Sequence, residues 1–172
     1  MESNEIELIF RVWGERLDPE VVTEATGISP AKAFQVGERR GPAAYPVAGW
    51  EWLSSKADDG GAPLDEMMRV LEPHQATFRR CVDEGARISV TVVGHYVGQV
   101  VKTAAEAERL RWYVREDRPF RTFLACDTIG VVLTPEHLEF LASVDADFET
   151  HIDVLLVPDA KAANWYEAEK ET

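Results

Sequence analysis

The sequence has few of the features that mark secreted, metal-binding or nucleic-acid-binding proteins. Two cysteines, Cys81 and Cys126, are too few for a disulfide framework, and without a CxxC pair they cannot form a tetrahedral metal site by themselves. No run of about 18 apolar residues is present, and the amino terminus is acidic where a targeting signal would be basic. Lysine and arginine are scarce: 18 of them against 31 Asp and Glu give a net charge of −13, which opposes binding to phosphate backbones. These features predict a cytoplasmic protein that binds neither nucleic acid nor membranes.

The common catalytic signatures are also missing. The sequence contains no GxGxxG, GxxxxGK[ST] or HExxH motif and no EF-hand loop. Its four histidines include no i, i+4 pair that would place two metal ligands on one helix face. Cys126 is followed by Asp127, whose carboxylate opposes thiolate formation, so we interpret both cysteines as small buried hydrophobic residues. We therefore predict no catalytic residue, no cofactor and no metal.

The hydrophobic pattern and the helix-capping signals predict an α+β fold. Residues Glu5–Trp13 alternate with period two, as in a strand with one buried face, and Asp18-Pro19 with Gly27 delimit a short helix at Pro19–Thr26. No phosphate-binding glycine turn follows the first strand, which disfavours a doubly wound parallel sheet. The same signals predict a short helical turn from Pro30, a strand at Trp50–Ser54, helices carrying Leu64–Leu71 and Phe78–Val82, a strand at Ala86–Val92, a helix at about residues 104–115, strands at Phe120–Leu124, Ile129–Leu133 and Phe148–Val157, and a helix after Thr134-Pro135. We expect a mixed or mostly antiparallel sheet with helices packed on one face.

The chain shows no internal repeat and no linker long enough to separate two domains. Its 172 residues, 45% hydrophobic and 28% charged, match one ordinary globular domain. We predict a single domain over residues 1–158, with an inserted helical segment at about residues 94–121 and a C-terminal tail at residues 159–172.

The negative charge is concentrated near the end of the chain. Residues 122–160 contain eight acidic residues and no lysine or arginine. In the last strand, period two places Asp147, Glu149, His151 and Asp153 on one face. The preceding helix is predicted to turn Leu138, Leu141 and Ala142 inward and to leave His137 at the surface. We call the following residues the acidic surface: Glu136, Glu139, Asp145, Asp147, Glu149 and Asp153.

Three interpretations of the acidic surface are open. The plainest is a solvated outer face, since charged side chains are mostly exposed. The functional one is a surface that recruits a basic protein, because opposite charge speeds encounter. A Ca²⁺ or Mg²⁺ site is disfavoured, since these ions need converging oxygens and side chains along one strand project in parallel.

A second candidate site lies among aromatic residues. Trp50 and Trp52 share one face of a predicted strand, and Arg39 and Arg40 lie in the preceding loop. The two indoles are compatible with a place in the core. Alternatively, they line a ligand pocket together with the two arginines.

Two stretches of the sequence resemble a known family. Leu17–Val22 and Gly27–Glu38, followed by Trp50 and Trp52, resemble the bacterial domain-of-unknown-function 4279 family. Leu133–Leu141, leading to His151-Ile152-Asp153, looks like the helix and terminal strand of that family. The resemblance implies a small α+β domain with no established catalytic residue. It also implies a single-domain bacterial cytosolic protein, a group in which small acidic members are often immunity proteins that neutralise a toxin of the same cell.

The leading functional hypothesis is a non-catalytic immunity protein. Its acidic surface would bind a basic protein partner, a toxin domain. The alternative is a small-molecule-binding domain or an unrecognised enzyme with a pocket near Trp50 and Trp52. A structural or oligomerisation module is a third possibility, for which a large exposed apolar patch is expected.

Overall fold

The computed structural model describes the backbone of residues 5–40, 43–57, 61–101, 113–117, 122–126 and 131–157, and the side chains of residues 5–39, 43–57, 61–94 and 131–151. Its strands are β1 (Glu5–Gly14), β2 (Lys32–Phe34), β3 (Arg39–Arg40), β4 (Ala43–Ala44), β5 (Ala48–Leu53), β6 (Arg87–Val101), β7 (Tyr113–Asp117), β8 (Thr122–Cys126) and β9 (Ala146–Val157). Its helices are α1 (Pro19–Thr26), α2 (Gly61–Leu71), α3 (Gln75–Asp83) and α4 (Pro135–Ser143), with a 3₁₀ turn at Glu72–His74. The α+β class is confirmed.

The described residues fall into two compact units. Residues 6–93 and 131–151 belong to the first, and residues 94–101, 113–117, 122–126 and 152–157 belong to the second, together with Glu5. The strand order runs β2-β5-β1-β6, with β9 also paired to β6. The β1–β5 and β2–β5 pairs are antiparallel. In the second unit β8 pairs antiparallel with both β6 and β7. The single domain predicted over residues 1–158 stays a prediction, and the tail at residues 159–172 lies outside the described residues.

The core lies on the sheet face that carries the even-numbered residues of β1. Half-buried and buried positions alternate along this strand, and Leu8, Phe10 and Val12 are fully buried, as the period of two predicts. Phe78 of α3 packs against Phe10 at a centroid distance of 4.9 Å, and Phe140 of α4 packs against Phe10 at 6.4 Å. Helices from separate parts of the chain thus cover the same sheet face.

The first helix has the bounds predicted from its capping residues. The Asp18 carboxylate accepts a hydrogen bond from the Glu20 backbone N–H at 3.0 Å, and Pro19 occupies the first turn. Gly27 adopts φ 68°, a left-handed conformation that ends the helix at little steric cost. Local signals therefore suffice to define α1.

Two predicted segments differ from the structure. The turn from Pro30 is not helical, because the chain extends there and Lys32–Phe34 pair with β5 as an edge strand. Residues 131–133 form no strand, although Ile129–Leu133 had that pattern.

The predicted helical insertion is wrong for the residues that the structure describes. Within residues 94–121, Gly94–Val101 continue β6, and Tyr113–Asp117 form β7, so the helix expected at 104–115 does not include Tyr113, Val114 or Arg115. In this segment the backbone N–H and C=O groups bond to a neighbouring strand instead of within a helix. Tyr113 pairs with Cys126, and Arg115 pairs with Leu124. Residues 102–112 lie outside the described part of the chain.

Candidate functional site

Five members of the acidic surface lie in the first unit with exposed side chains. Glu136 and Glu139 come from α4, Asp145 from the turn that follows, and Asp147 and Glu149 from the first half of β9. Asp153 also lies in β9 but belongs to the second unit, and its side chain lies outside the described residues. The structure therefore describes the surface as five exposed carboxylates carried by consecutive elements.

The start of α4 is held by a reciprocal pair of hydrogen bonds. The His137 backbone N–H donates to Thr134 Oγ1 at 3.4 Å, and the Thr134 backbone N–H donates to His137 Nδ1 at 3.1 Å. This is a capping box in which histidine takes the place usual for Glu or Gln. His137 is only 4% exposed, so the expectation of a surface histidine is wrong.

The inward face of α4 also differs from the prediction. Phe140 and Leu141 are buried with His137, while Leu138 is 52% exposed and Ala142 is also exposed. His137, Phe140 and Leu141 therefore lie on the face of α4 that packs inward, and Leu138 lies on the solvent side. Glu136 and Glu139 lie on the exposed face.

We expect the stability of the protein to depend on a hydrogen-bond acceptor in the side chain of residue 137. His137→Ala should lower the free energy of unfolding by about 1 kcal/mol, because the Thr134 N–H loses its acceptor and a buried ring is removed. His137→Gln should keep most of this stability, since its amide oxygen can accept the same bond. Urea unfolding of the two variants tests the assignment, and equal losses would contradict it.

The junction between α4 and β9 requires an unusual backbone conformation. Asp145 has φ 52° and is the one described non-glycine residue with positive φ. Aspartate tolerates this left-handed region better than most residues do. Val144 beside it is fully buried, which anchors the turn to the core. The turn therefore holds the exposed carboxylates of α4 and β9 close together in the chain.

The electrostatic environment of the acidic surface is only partly neutralised. Asp147 Oδ2 lies 3.0 Å from Arg87 Nη2. The Asp147 side chain is 60% exposed and the Arg87 side chain is 63% exposed. Among the described side chains, no lysine or arginine pairs with Glu136, Glu139 or Asp145. His151 Nε2 lies 3.6 Å from Glu149 Oε2. A single arginine therefore compensates part of the negative charge within the described residues.

Arg87 is itself held in place by a second contact. Its guanidinium lies 4.9 Å from the centroid of the Trp13 ring, a cation–π geometry. The arginine thus pairs with Asp147 while stacking on β1. We infer that it orients the start of β9, since the pair joins residues on separate strands.

The second candidate site is reorganised by the structure. Trp50 is fully buried and Trp52 is 7% exposed, so both indoles belong to the core and do not line an open pocket. Trp50 Nε1 donates to Thr23 Oγ1 at 3.1 Å, and its ring lies 6.0 Å from Phe78. Arg39 and Arg40 form the short β3, paired with Ala43 and Ala44 of β4, and the Arg40 side chain lies outside the described residues. The two arginines therefore lie on a separate hairpin.

Other reactive groups are few in the described part of the chain. Burial, with a smaller contribution from the Glu84 carboxylate, raises the pKa of the Cys81 thiol above its ordinary value. This thiol is 8% exposed, as expected for a small buried hydrophobic residue; the Cys126 side chain lies outside the described residues. Within those residues, no group of three His, Cys, Asp or Glu side chains is placed to hold a metal ion. The helices of the same residues include none long and apolar enough to span a bilayer.

Comparison with known proteins gives one match. A model for a domain of unknown function, DUF4279, matches residues 4–111. The chain belongs to the DUF4279 family. No curated protein and no solved structure matches it. The part matched by DUF4279 runs from β1 past the end of β6, so the acidic surface at residues 136–153 follows it in the chain.

Two features of the DUF4279 region were not predicted from the sequence. Glu51, whose side chain is 10% exposed, lies on the sheet face opposite the core, where its Oε1 is 2.9 Å from Arg11 Nε and 3.7 Å from Lys32 Nζ. The register that pairs Arg11 and Lys32 with Glu51 creates this cluster, and it could have been found had the strand pairing been known.

The other unpredicted feature is an open groove between α1 and β2. Its volume is about 510 Å³, and residues of α1 line one wall while β2 and its flanking loops line the other. The segments Leu17–Val22 and Gly27–Glu38, through which the sequence resembles DUF4279, contribute most of this lining. The wall after Pro30 is extended chain, where the sequence suggested a short helical turn.

Proposed function

We propose that this protein is a non-catalytic binding module that captures a basic protein through its acidic surface, and that the partner is a toxin which it neutralises in the cytoplasm. The observation that carries the proposal is the exposure of five carboxylates on α4, the following turn and β9. Among the described residues, Arg87 is the arginine that pairs with one of them, Asp147. Net charge of −13 adds a long-range field of the same sign.

Exposure favours binding over acid–base chemistry at this surface. A carboxylate that transfers protons in catalysis is usually shielded from water, which tunes its pKa to the task. The side chains of Asp147 and Glu149 are 60% and 58% exposed. Solvated charges of this kind change the rate of encounter and the choice of partner more than they change affinity.

A toxin that acts on nucleic acid or on membranes is a suitable partner by charge. Surfaces that bind nucleic acid are strongly positive, and so are many that bind anionic lipid. An acidic protein that covers such a surface competes directly with its target.

Charge reversal at the acidic surface tests the proposal. We expect Glu139→Lys with Glu149→Lys to slow association with a basic toxin domain that binds the wild-type chain by about tenfold at low salt, because steering depends on these charges. The effect should shrink as salt rises, since screening weakens both proteins' fields. Stopped-flow or surface-plasmon measurements over a salt series provide the rates.

A matched control separates the surface from overall charge. Glu15→Lys with Glu72→Lys changes the net charge by the same amount at exposed positions outside the acidic surface. Association of this control should remain within about twofold of the wild-type rate. Equal slowing in the two double variants, or no slowing in either, would rule out the acidic surface as the binding site.

A further inference from the structure

The groove between α1 and β2 combines an apolar lining with carboxylates of one sign. Pro19, Pro30 and Ala33 contribute apolar surface. Glu20 and Glu24 lie on the α1 wall and Glu38 on the other, while no lysine or arginine lines the groove. We propose that this groove receives a lysine or arginine side chain from an extended segment of a partner protein.

The chemistry of the lining selects this occupant. Lysine and arginine carry an apolar stem and a charged head, so the stem can contact proline and alanine while the head stays near carboxylates. Hydrogen bonds from a cationic donor to a carboxylate are stronger than those between neutral groups. An uncharged or acidic side chain would leave the three glutamates without a counter-ion.

The shape of the groove favours a chain segment over an enclosed small molecule. Its exposed lining residues are Glu20, Glu24, Ala33, Gln35 and Glu38. Small-molecule sites usually bury about 70–90% of their ligand, which an open groove cannot do. In the strand order given by the described pairings, β2 has β5 as its one neighbour and is an edge strand. A segment can therefore lie along the groove and insert one side chain.

The walls are fixed before anything binds. Thr23 Oγ1 donates to the Pro19 carbonyl at 2.9 Å and accepts from Trp50 Nε1 at 3.1 Å, which ties α1 to the core. On the opposite wall, Glu38 Oε2 accepts from the Gln35 backbone N–H at 3.0 Å. A preformed groove reduces the ordering cost of binding.

Titration of the labelled full chain by NMR tests the inference. The probe is a short capped peptide with one central lysine flanked by glycine and serine, and its control carries norleucine at that position. The lysine peptide should shift the amide signals of α1 and β2, and the norleucine peptide should bind at least about fivefold more weakly. Spermidine is titrated in parallel as a small cation.

Two variants test the groove separately, one by changing its space and the other by changing its charge. Ala33→Leu narrows the groove beside β2 without changing the charge, and Glu20→Gln with Glu24→Gln removes charge without narrowing it. Each should weaken the lysine peptide by about fivefold or more, whereas Glu139→Gln with Glu149→Gln should leave its affinity unchanged. The amide spectrum shows whether each variant is folded; if Ala33→Leu does not fold, the glutamine pair decides.

The outcomes separate this inference from the role proposed for the acidic surface. Shifts confined to α4 and β9, with no effect of either groove variant, would overturn the groove and leave the acidic surface supported. Spermidine binding as tightly as the peptide, with the same variant response, would overturn the choice of a protein segment. Loss of toxin binding in the acidic-surface variants alone bears only on the proposed function.

Discussion

Phe78→Ala should lower the free energy of unfolding by about 3–5 kcal/mol, the largest effect expected for a single substitution here. Phe78 is fully buried and joins α3 to two strands, with its ring 4.9 Å from Phe10 and 6.0 Å from Trp50. Truncation removes the ring from the apolar interior and leaves a cavity that neighbouring aromatic rings fill only partly. Because total stabilities are about 5–15 kcal/mol, the variant should be close to unfolding.

Urea unfolding followed by tryptophan fluorescence and circular dichroism measures this loss. Phe78→Leu should cost less, since it keeps much of the volume. Leu138→Ala is a control on α4, where the side chain is 52% exposed and truncation should cost less than about 1 kcal/mol. Similar losses for Phe78→Ala and Leu138→Ala would show that Phe78 does not hold α3 on the sheet.

Elements defined by neighbouring residues could be predicted from the sequence. The bounds of α1 follow from Asp18, Pro19 and Gly27, all within one residue of its ends. The buried face of β1 follows from the alternation of its own side chains. In both cases the controlling interactions are local, so no knowledge of the remaining fold is needed.

Elements defined by distant partners could not be predicted. Lys32–Phe34 become a strand because they pair with Gly49–Glu51 of β5, and Tyr113–Asp117 because they pair with β8. A helix start and an edge strand share the signal Ser29-Pro30, and long-range pairing decides between them. The open groove depends on this choice and was missed for the same reason.

For the candidate sites too, local sequence patterns predicted exposure, whereas contacts between distant residues could not be predicted. Period two and helix spacing predicted that Glu139, Asp147 and Glu149 would be exposed, and they are. The same patterns could not show that Arg87 pairs with Asp147, because these residues are far apart in the chain. The burial of Trp50 and Trp52 was one of two interpretations open from the sequence, and only the packing of α1 and α3 on β5 distinguishes them.

Gly49→Ala is the substitution expected to have the second largest effect. Gly49 is paired with Phe34 across β2 and β5, and a Cβ atom there would overlap the Phe34 ring. The ring would have to leave its stack on Tyr45, at 4.1 Å, and its contact with Lys32, whose Nζ lies 5.0 Å from the Phe34 centroid. Overpacking of this kind costs about 1–3 kcal/mol, which outweighs the gain of about 0.4–1 kcal/mol from a less flexible unfolded chain.

Rescue by a second substitution makes the Gly49 prediction specific. Phe34→Leu removes the ring that the new methyl group would strike, so Gly49→Ala should cost much less in the Phe34→Leu background than in the wild type. The difference between the two costs, measured by urea unfolding, is the coupling between the residues, expected at about 1 kcal/mol or more. Additive effects would mean that Phe34 does not lie over Gly49. Coupling would instead show that the Phe34 ring packs over Gly49 and leaves no room for a side chain there.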